Sequence, residues 1–123
     1  MKFFRPLLLL ALLALSGFAA AAPARANTLT FLMKSEYQYT LRLEFYSTKT
    51  GLYWPGNGKS WAMDDYDAHT YKLNCTTGEQ ICYGAWESGG TLQWGVGYQH
   101  SQGCQNCCYT CNGGTTKLIR LTP

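Results

Sequence analysis

HTYKLNCTTGEQICYGAW, residues 69–86, is the stretch whose reading decides the fold class. In its first half His69, Tyr71, Leu73 and Cys75 alternate with Thr70, Lys72 and Asn74. A period of two places the two sets on opposite faces of a strand. Thr76-Thr77-Gly78-Glu79 is turn chemistry, with a glycine free to take a left-handed conformation. Ile81 to Trp86 then resumes as an apolar run, and the whole stretch predicts a β-hairpin.

The same rhythm extends on both sides. Tyr39, Leu41, Leu43 and Phe45 alternate with Thr40, Arg42 and Glu44. Leu29–Met33 precedes them as a strand, and Trp61 and Met63 form a short strand ending at Asp64-Asp65. After a turn at Ser88-Gly89-Gly90, Leu92, Trp94, Val96 and Tyr98 alternate with Gln93, Gly95 and Gly97. Those two glycines point to a bend, or to bare backbone against which something packs. Thr115–Leu121 closes the chain as a last strand. About seven short antiparallel strands at this spacing predict an all-β fold, a small β-sandwich or barrel.

The N-terminus reads differently. Lys2 and Arg5 precede an apolar core from Leu7 to Leu15. Pro23 follows, and Ala24-Arg25-Ala26 offers small residues at the two positions a signal peptidase reads. Residues 1–26 are therefore expected to be a signal peptide, and residues 27–123 a single domain that is secreted or periplasmic. The apolar core is shorter than the roughly 20 residues of a spanning helix, so no membrane span is expected after cleavage. No cysteine falls in the first 26 residues, which leaves no site for a lipid on a signal-peptide cysteine.

The net charge of +3 belongs to the leader. Beyond Ala26, Lys34, Arg42, Lys49, Lys59, Lys72, Lys117 and Arg120 balance Glu36, Glu44, Asp64, Asp65, Asp67, Glu79 and Glu87. A neutral domain without a basic run lacks the electrostatic footprint of a nucleic-acid binder.

All six cysteines, Cys75, Cys82, Cys104, Cys107, Cys108 and Cys111, lie in the exported part. An even count in a short exported chain reads as a disulfide framework, and a domain this small gains much from cross-links. Cys75 and Cys82 flank the expected hairpin turn, which favours a Cys75–Cys82 bridge with the other four paired among themselves. The rival is that one or both tie the hairpin to the cysteine-rich loop 99–114. Cys104-x-x-Cys107-Cys108-x-x-Cys111 also has an alternative as a zinc or copper site. Its two knuckles abut, which leaves little room for four sulfurs to converge. A thiol oxidoreductase needs its Cys-x-x-Cys at a helix N-terminus, and no helical pattern follows these cysteines.

Four Trp and nine Tyr are a heavy aromatic load. Most are expected in the core, Trp86 and Trp94 among them. Tyr53-Trp54 sits beside Pro55-Gly56-Asn57-Gly58 in an expected loop, so Tyr53, Trp54 and neighbouring Trp61 are the candidate binding residues. Asp64-Asp65-Tyr66-Asp67 lacks the further ligands and the glycine of a calcium loop. His69 is read as a partly buried structural residue, and His100 has no free thiol to activate. Glu79, Glu87 and Asp65 are the carboxylates a hydrolase would need, but no catalytic or nucleotide motif occurs and no cofactor is implied. The expected class is a non-enzymatic binding or structural protein with an extracytoplasmic ligand or protein partner: a carbohydrate, an envelope component or a protein.

Overall fold

The computed structural model describes residues 24–123 and is all-β. The leader expected over residues 1–26 lies outside the described residues except for its last three. Of these, Ala26 already opens the first strand, and the Arg25 carbonyl accepts the Thr77 N–H.

Among the described residues nine strands form: β1 Ala26–Ser35, β2 Leu41–Ser47, β3 Tyr53–Trp54, β4 Trp61–Met63, β5 His69–Thr76, β6 Gln80–Glu87, β7 Gln93–Gly95, β8 Cys108–Thr110 and β9 Ile119–Leu121. Nine replaces the expected seven because two short strands arise where loops were read, β3 at Tyr53-Trp54 and β8 inside the cysteine-rich segment. One sheet has the order β5-β1-β9 and the other β3-β2-β6-β7, with β4 also on β2 and β8 also on β6. β9 runs parallel to β1, the one departure from the antiparallel expectation among the described strands.

The decisive stretch is not a hairpin. β5 pairs with β1, whereas β6 pairs with β2, β7 and β8. The turn at Thr76–Glu79 therefore arches from one sheet to the other, and the two strands face each other through the core. Glu79 fixes the arch. It is 2% exposed, and it accepts hydrogen bonds from the Thr76 N–H at 3.0 Å, the Ser47 hydroxyl at 2.5 Å and the Thr50 hydroxyl at 3.1 Å.

Alternation decides the core. Leu29, Phe31 and Met33 of β1 meet Leu41, Leu43 and Phe45 of β2, joined by Leu73, Ile81, Ala85 and Leu121. Phe31 and Phe45 touch across the interface with ring centroids 4.4 Å apart. Burying side chains of this size contributes about 1.5–3 kcal/mol each. Tyr39, expected on the inner face, is 58% exposed because β2 begins two residues later, at Leu41.

Three disulfides complete the frame: Cys75–Cys111, Cys82–Cys108 and Cys104–Cys107. The favoured Cys75–Cys82 bridge does not form, because those residues sit on different sheets. Both cysteines reach the cysteine-rich segment instead, as in the rival reading. Cys82 and Cys108 are direct neighbours across β6 and β8, while Cys75–Cys111 links the two sheets. All six sulfurs are bonded, so Cys104 to Cys111 offer no thiolate to zinc or copper. Among the described residues no helix is long and apolar enough to cross a membrane.

Candidate binding face

The outer face of the larger sheet carries the side chains that alternate away from the core. On β2 these are Arg42, Glu44 and Tyr46; opposite them on β6 stand Trp86, Gly84 and Cys82. On β7 Gln93 lies beside Trp86, and on β3 Tyr53 lies beside Tyr46.

Residues 95–100 cross over this face as a strap. Gly95 and Gly97 take positive φ values of 62° and 69°, which turns the chain out of β7 and back across the sheet. The strap passes so close to Gly84 that a Cβ there would collide with the Gly97 carbonyl. It continues as a single 3₁₀ turn, Tyr98–His100, in which Gln99 and His100 both have φ of 47°. Two consecutive non-glycine residues in the left-handed region are strained, at a cost of order 1–3 kcal/mol each.

Four contacts hold that turn. The Gln99 N–H donates to the Glu44 carboxylate at 2.6 Å, and Glu44 is only 3% exposed beneath the strap. The His100 ring stacks on Tyr46, with centroids 4.1 Å apart and planes 13° from parallel, and its Nδ1 meets the Tyr53 hydroxyl. The Tyr98 N–H donates to the Gln93 side-chain oxygen at 2.8 Å. Burial pushes the Glu44 carboxyl above its ordinary range, opposed by the Gln99 N–H. Burial also raises the Tyr53 phenol, helped by the charge of Glu44 and by Tyr46.

On its far side the strap builds a cleft of about 490 Å³. Trp86 and Tyr98 form one corner, edge to face with centroids 5.0 Å apart and planes at 76°. Glu87, Thr91, Gln93 and the bare backbone of Gly89-Gly90 complete the lining. The volume falls within the range of small-ligand sites, and the lining mixes ring faces with amide, hydroxyl and carboxylate groups.

The expected trio does not share one face. Tyr53 points outward to His100. Trp54 is opposite Phe45 and turns inward, half-buried against the core. It also borders a second depression of about 340 Å³ with Leu52, Asn74, Glu79 and Ala26. Trp61 is opposite Leu43 and packs on Phe45 and Tyr71. Trp94 packs on the core as expected, its indole N–H donating to the Thr122 carbonyl at 2.6 Å. Trp86 does not, because on β6 the inward positions are Ile81, Tyr83 and Ala85. The same alternation, carried one residue further, places Trp86 outside.

Of the three carboxylates, Glu79 and Asp65 hold turns, while Glu87 reaches Tyr37 on a distant segment. Burial alone would raise the Glu79 carboxyl, but its hydrogen bonds and the charge of Lys49 outweigh this and hold it below its ordinary value. Asp65 accepts the Asp67 N–H at 3.0 Å and contacts His69 Nε2 at 2.7 Å, which together lower its carboxyl, the His69 contact most. Glu87 accepts the Tyr37 hydroxyl at 2.9 Å. Burial and this bond raise the Tyr37 phenol, so the proton stays on tyrosine and Glu87 acts as acceptor.

No family model matches the chain, and no curated protein or solved structure is detectably similar to it.

Proposed function

We propose that this small disulfide-linked protein is a non-enzymatic, extracytoplasmic binding module that holds a sugar residue of a glycan in the Trp86–Tyr98 cleft. The observation that carries the reading is that cleft: two aromatic rings meet on the outer face of a rigid sheet, bordered by Gln93, Thr91 and Glu87. The apolar face of a pyranose stacks on such rings, and its hydroxyls find amide, hydroxyl and carboxylate partners at the rim. Three disulfides fit the oxidising compartment in which exported glycan binders work. Glu79 and Asp65, two of the carboxylates a hydrolase would need, are committed to turns, and this favours binding over catalysis.

The test is calorimetric titration of the exported protein with neutral oligosaccharides. Trp86→Ala is expected to weaken binding at least about ten-fold, as loss of a central aromatic anchor does, while Trp54→Ala leaves it within about two-fold. Binding that survives Trp86→Ala unchanged but falls with Trp54→Ala moves the site to the second depression and overturns the assignment.

A further inference from the structure

We infer that the ligand of the Trp86–Tyr98 cleft carries a protonated amine, an amino sugar with its nitrogen unacetylated. The inference rests on the glycan reading above and adds the charge of the ligand to it. Among the described residues Glu87 is the only charged side chain in the lining; Arg42, the cross-strand neighbour of Trp86, stands on the same face outside it. Glu87 enters no ion pair among the described residues. Its Oε1 is taken by the Tyr37 hydroxyl at 2.9 Å. Its Oε2 has the Leu92 N–H at 3.5 Å, the limit of a hydrogen bond, and lies against Gly90, where any Cβ would strike the carboxyl group. One oxygen of an unneutralised carboxylate is thus left with acceptor capacity beside the bare backbone of the loop.

The aromatic corner complements that charge. Ring faces carry negative electrostatic potential, and two rings at a steep angle beside a carboxylate form the arrangement that attracts an organic ammonium ion. The Gln93 oxygen is already occupied by the Tyr98 N–H and the Ser101 hydroxyl, at 2.8 and 3.2 Å, so its amide N–H groups are what it has left to offer a sugar hydroxyl. A carboxylated sugar would meet Glu87 with like charge and no cation in the lining to offset it.

The experiment titrates the exported protein with four probes at one ionic strength: a β-1,4-glucosamine oligomer, its N-acetylated counterpart, a cello-oligosaccharide, and tetramethylammonium as a cation without a sugar. The free-amine oligomer is expected to bind about ten-fold more tightly than either neutral oligomer, a cation–π and ion-pair advantage that falls as salt is added. Glu87→Gln retains an acceptor for Tyr37, and it is expected to erase the preference, so that the free-amine oligomer binds no more tightly than the neutral ones. Equal affinity for all three oligomers overturns the inference and leaves the glycan reading standing. Tetramethylammonium binding with no oligomer bound overturns the glycan reading and keeps the ammonium site. No binding by any probe overturns both.

Discussion

The connectivity of the disulfides sets up a quantitative prediction. Cys75–Cys111 spans a separation of 36 residues and Cys82–Cys108 a separation of 26, and the second is nested wholly inside the first. In the chain-entropy account the outer bond alone restricts the unfolded chain by about 3.8 kcal/mol and the inner alone by about 3.5 kcal/mol. Nesting changes what each adds. With the inner bond in place, the outer closes only the path from 75 to 82 and from 108 to 111, a separation of 36 − 26 = 10. That is worth about 2.7 kcal/mol. With the outer in place, the inner adds about 2.4 kcal/mol, equivalent to a loop of roughly seven residues. Together they restrict the unfolded chain by about 6.2 kcal/mol. Removing either pair by Cys→Ala substitution should therefore cost less than it would alone, and removing both should cost about 1.1 kcal/mol more than the two single losses combined. Packing lost at buried Cys82 and Cys111 enters the single and double variants alike, so it cancels from the difference. The assay is reversible urea unfolding of the parent, the two pair variants and the four-cysteine variant, with m expected to rise as cross-links leave and the unfolded chain expands. Sequence-local pairs such as Cys75 with Cys82 close separate loops and give no such coupling. Losses that simply add, within about 0.3 kcal/mol, refute the nested frame.

Three further substitutions probe the arch and the strap. Glu44→Gln should stabilise the fold at pH 7, raising Tm by a few degrees, roughly what 0.5–1 kcal/mol gives in a domain of this size. The folded state holds the Glu44 proton more tightly than the unfolded state, because burial raises its carboxyl. That contribution is complete below the unfolded carboxyl value and is lost as pH rises through the folded one, so the Tm gain should vanish near about pH 4. A gain that persists unchanged at acid pH removes Glu44 as its cause. Glu79 has the opposite sign: its folded carboxyl is lowered, so its stabilisation is present above the unfolded value and fades as pH falls through the folded one. Glu79→Ala should cost about 2–3 kcal/mol by leaving the Thr76 N–H and the Ser47 hydroxyl without their partner, and chemical denaturation at neutral pH measures it. Gly84→Ala should lift the strap, costing about 1–3 kcal/mol, and by drawing Tyr98 away from Trp86 should shift the tryptophan emission as that indole becomes more exposed to water. An unaltered emission spectrum would show that the strap does not rest on Gly84.

Period-two alternation made the strands and their inner faces legible. Leu41, Leu43 and Phe45, like Leu73 and Cys75, point inward as the pattern requires. Alternation says which way a side chain faces but not which strand lies beside it. Thr76-Thr77-Gly78-Glu79 closes a hairpin and an arch equally well, since both turn the chain with a glycine and a polar neighbour. The distinguishing signal was Glu79, the one turn residue that is buried. A carboxylate there needs donors, and Ser47 and Thr50 at the far end of β2 supply them only if the chain crosses to the other sheet. The disulfide pairing follows from that crossing: once β5 and β6 lie on different sheets, Cys75 and Cys82 are no longer neighbours.

The Trp86–Tyr98 cleft is not legible in the sequence for a related reason. Sequence reasoning sought exposed aromatics in loops, where Pro and Gly advertise surface, and so it chose Tyr53-Trp54. Both residues lie on a two-residue strand, and the register that turns Tyr53 out turns Trp54 in. Trp86 carries a signal of a different kind. In residues 80–87, Ile81, Tyr83 and Ala85 fill the inner positions, and Trp86 falls on the set that also contains Gly84. A large ring beside a glycine on an outward face leaves a hollow next to a wall, and the strap fills part of that hollow while Tyr98 adds a second wall. Gly95 and Gly97 announced that a bend would pack on bare backbone, but the backbone they meet belongs to Gly84, eleven residues upstream of Gly95 on a neighbouring strand. Only pairing brings them together, and pairing is what alternation leaves open. The strain at Gln99 has no sequence signal, because glutamine does not mark a left-handed position, and His100 carries only a weak one, histidine being among the side chains enriched there. The strain persists because Glu44, Tyr46 and Tyr53 hold the turn from below, which makes those three side chains the support of the strap on which Tyr98 meets Trp86.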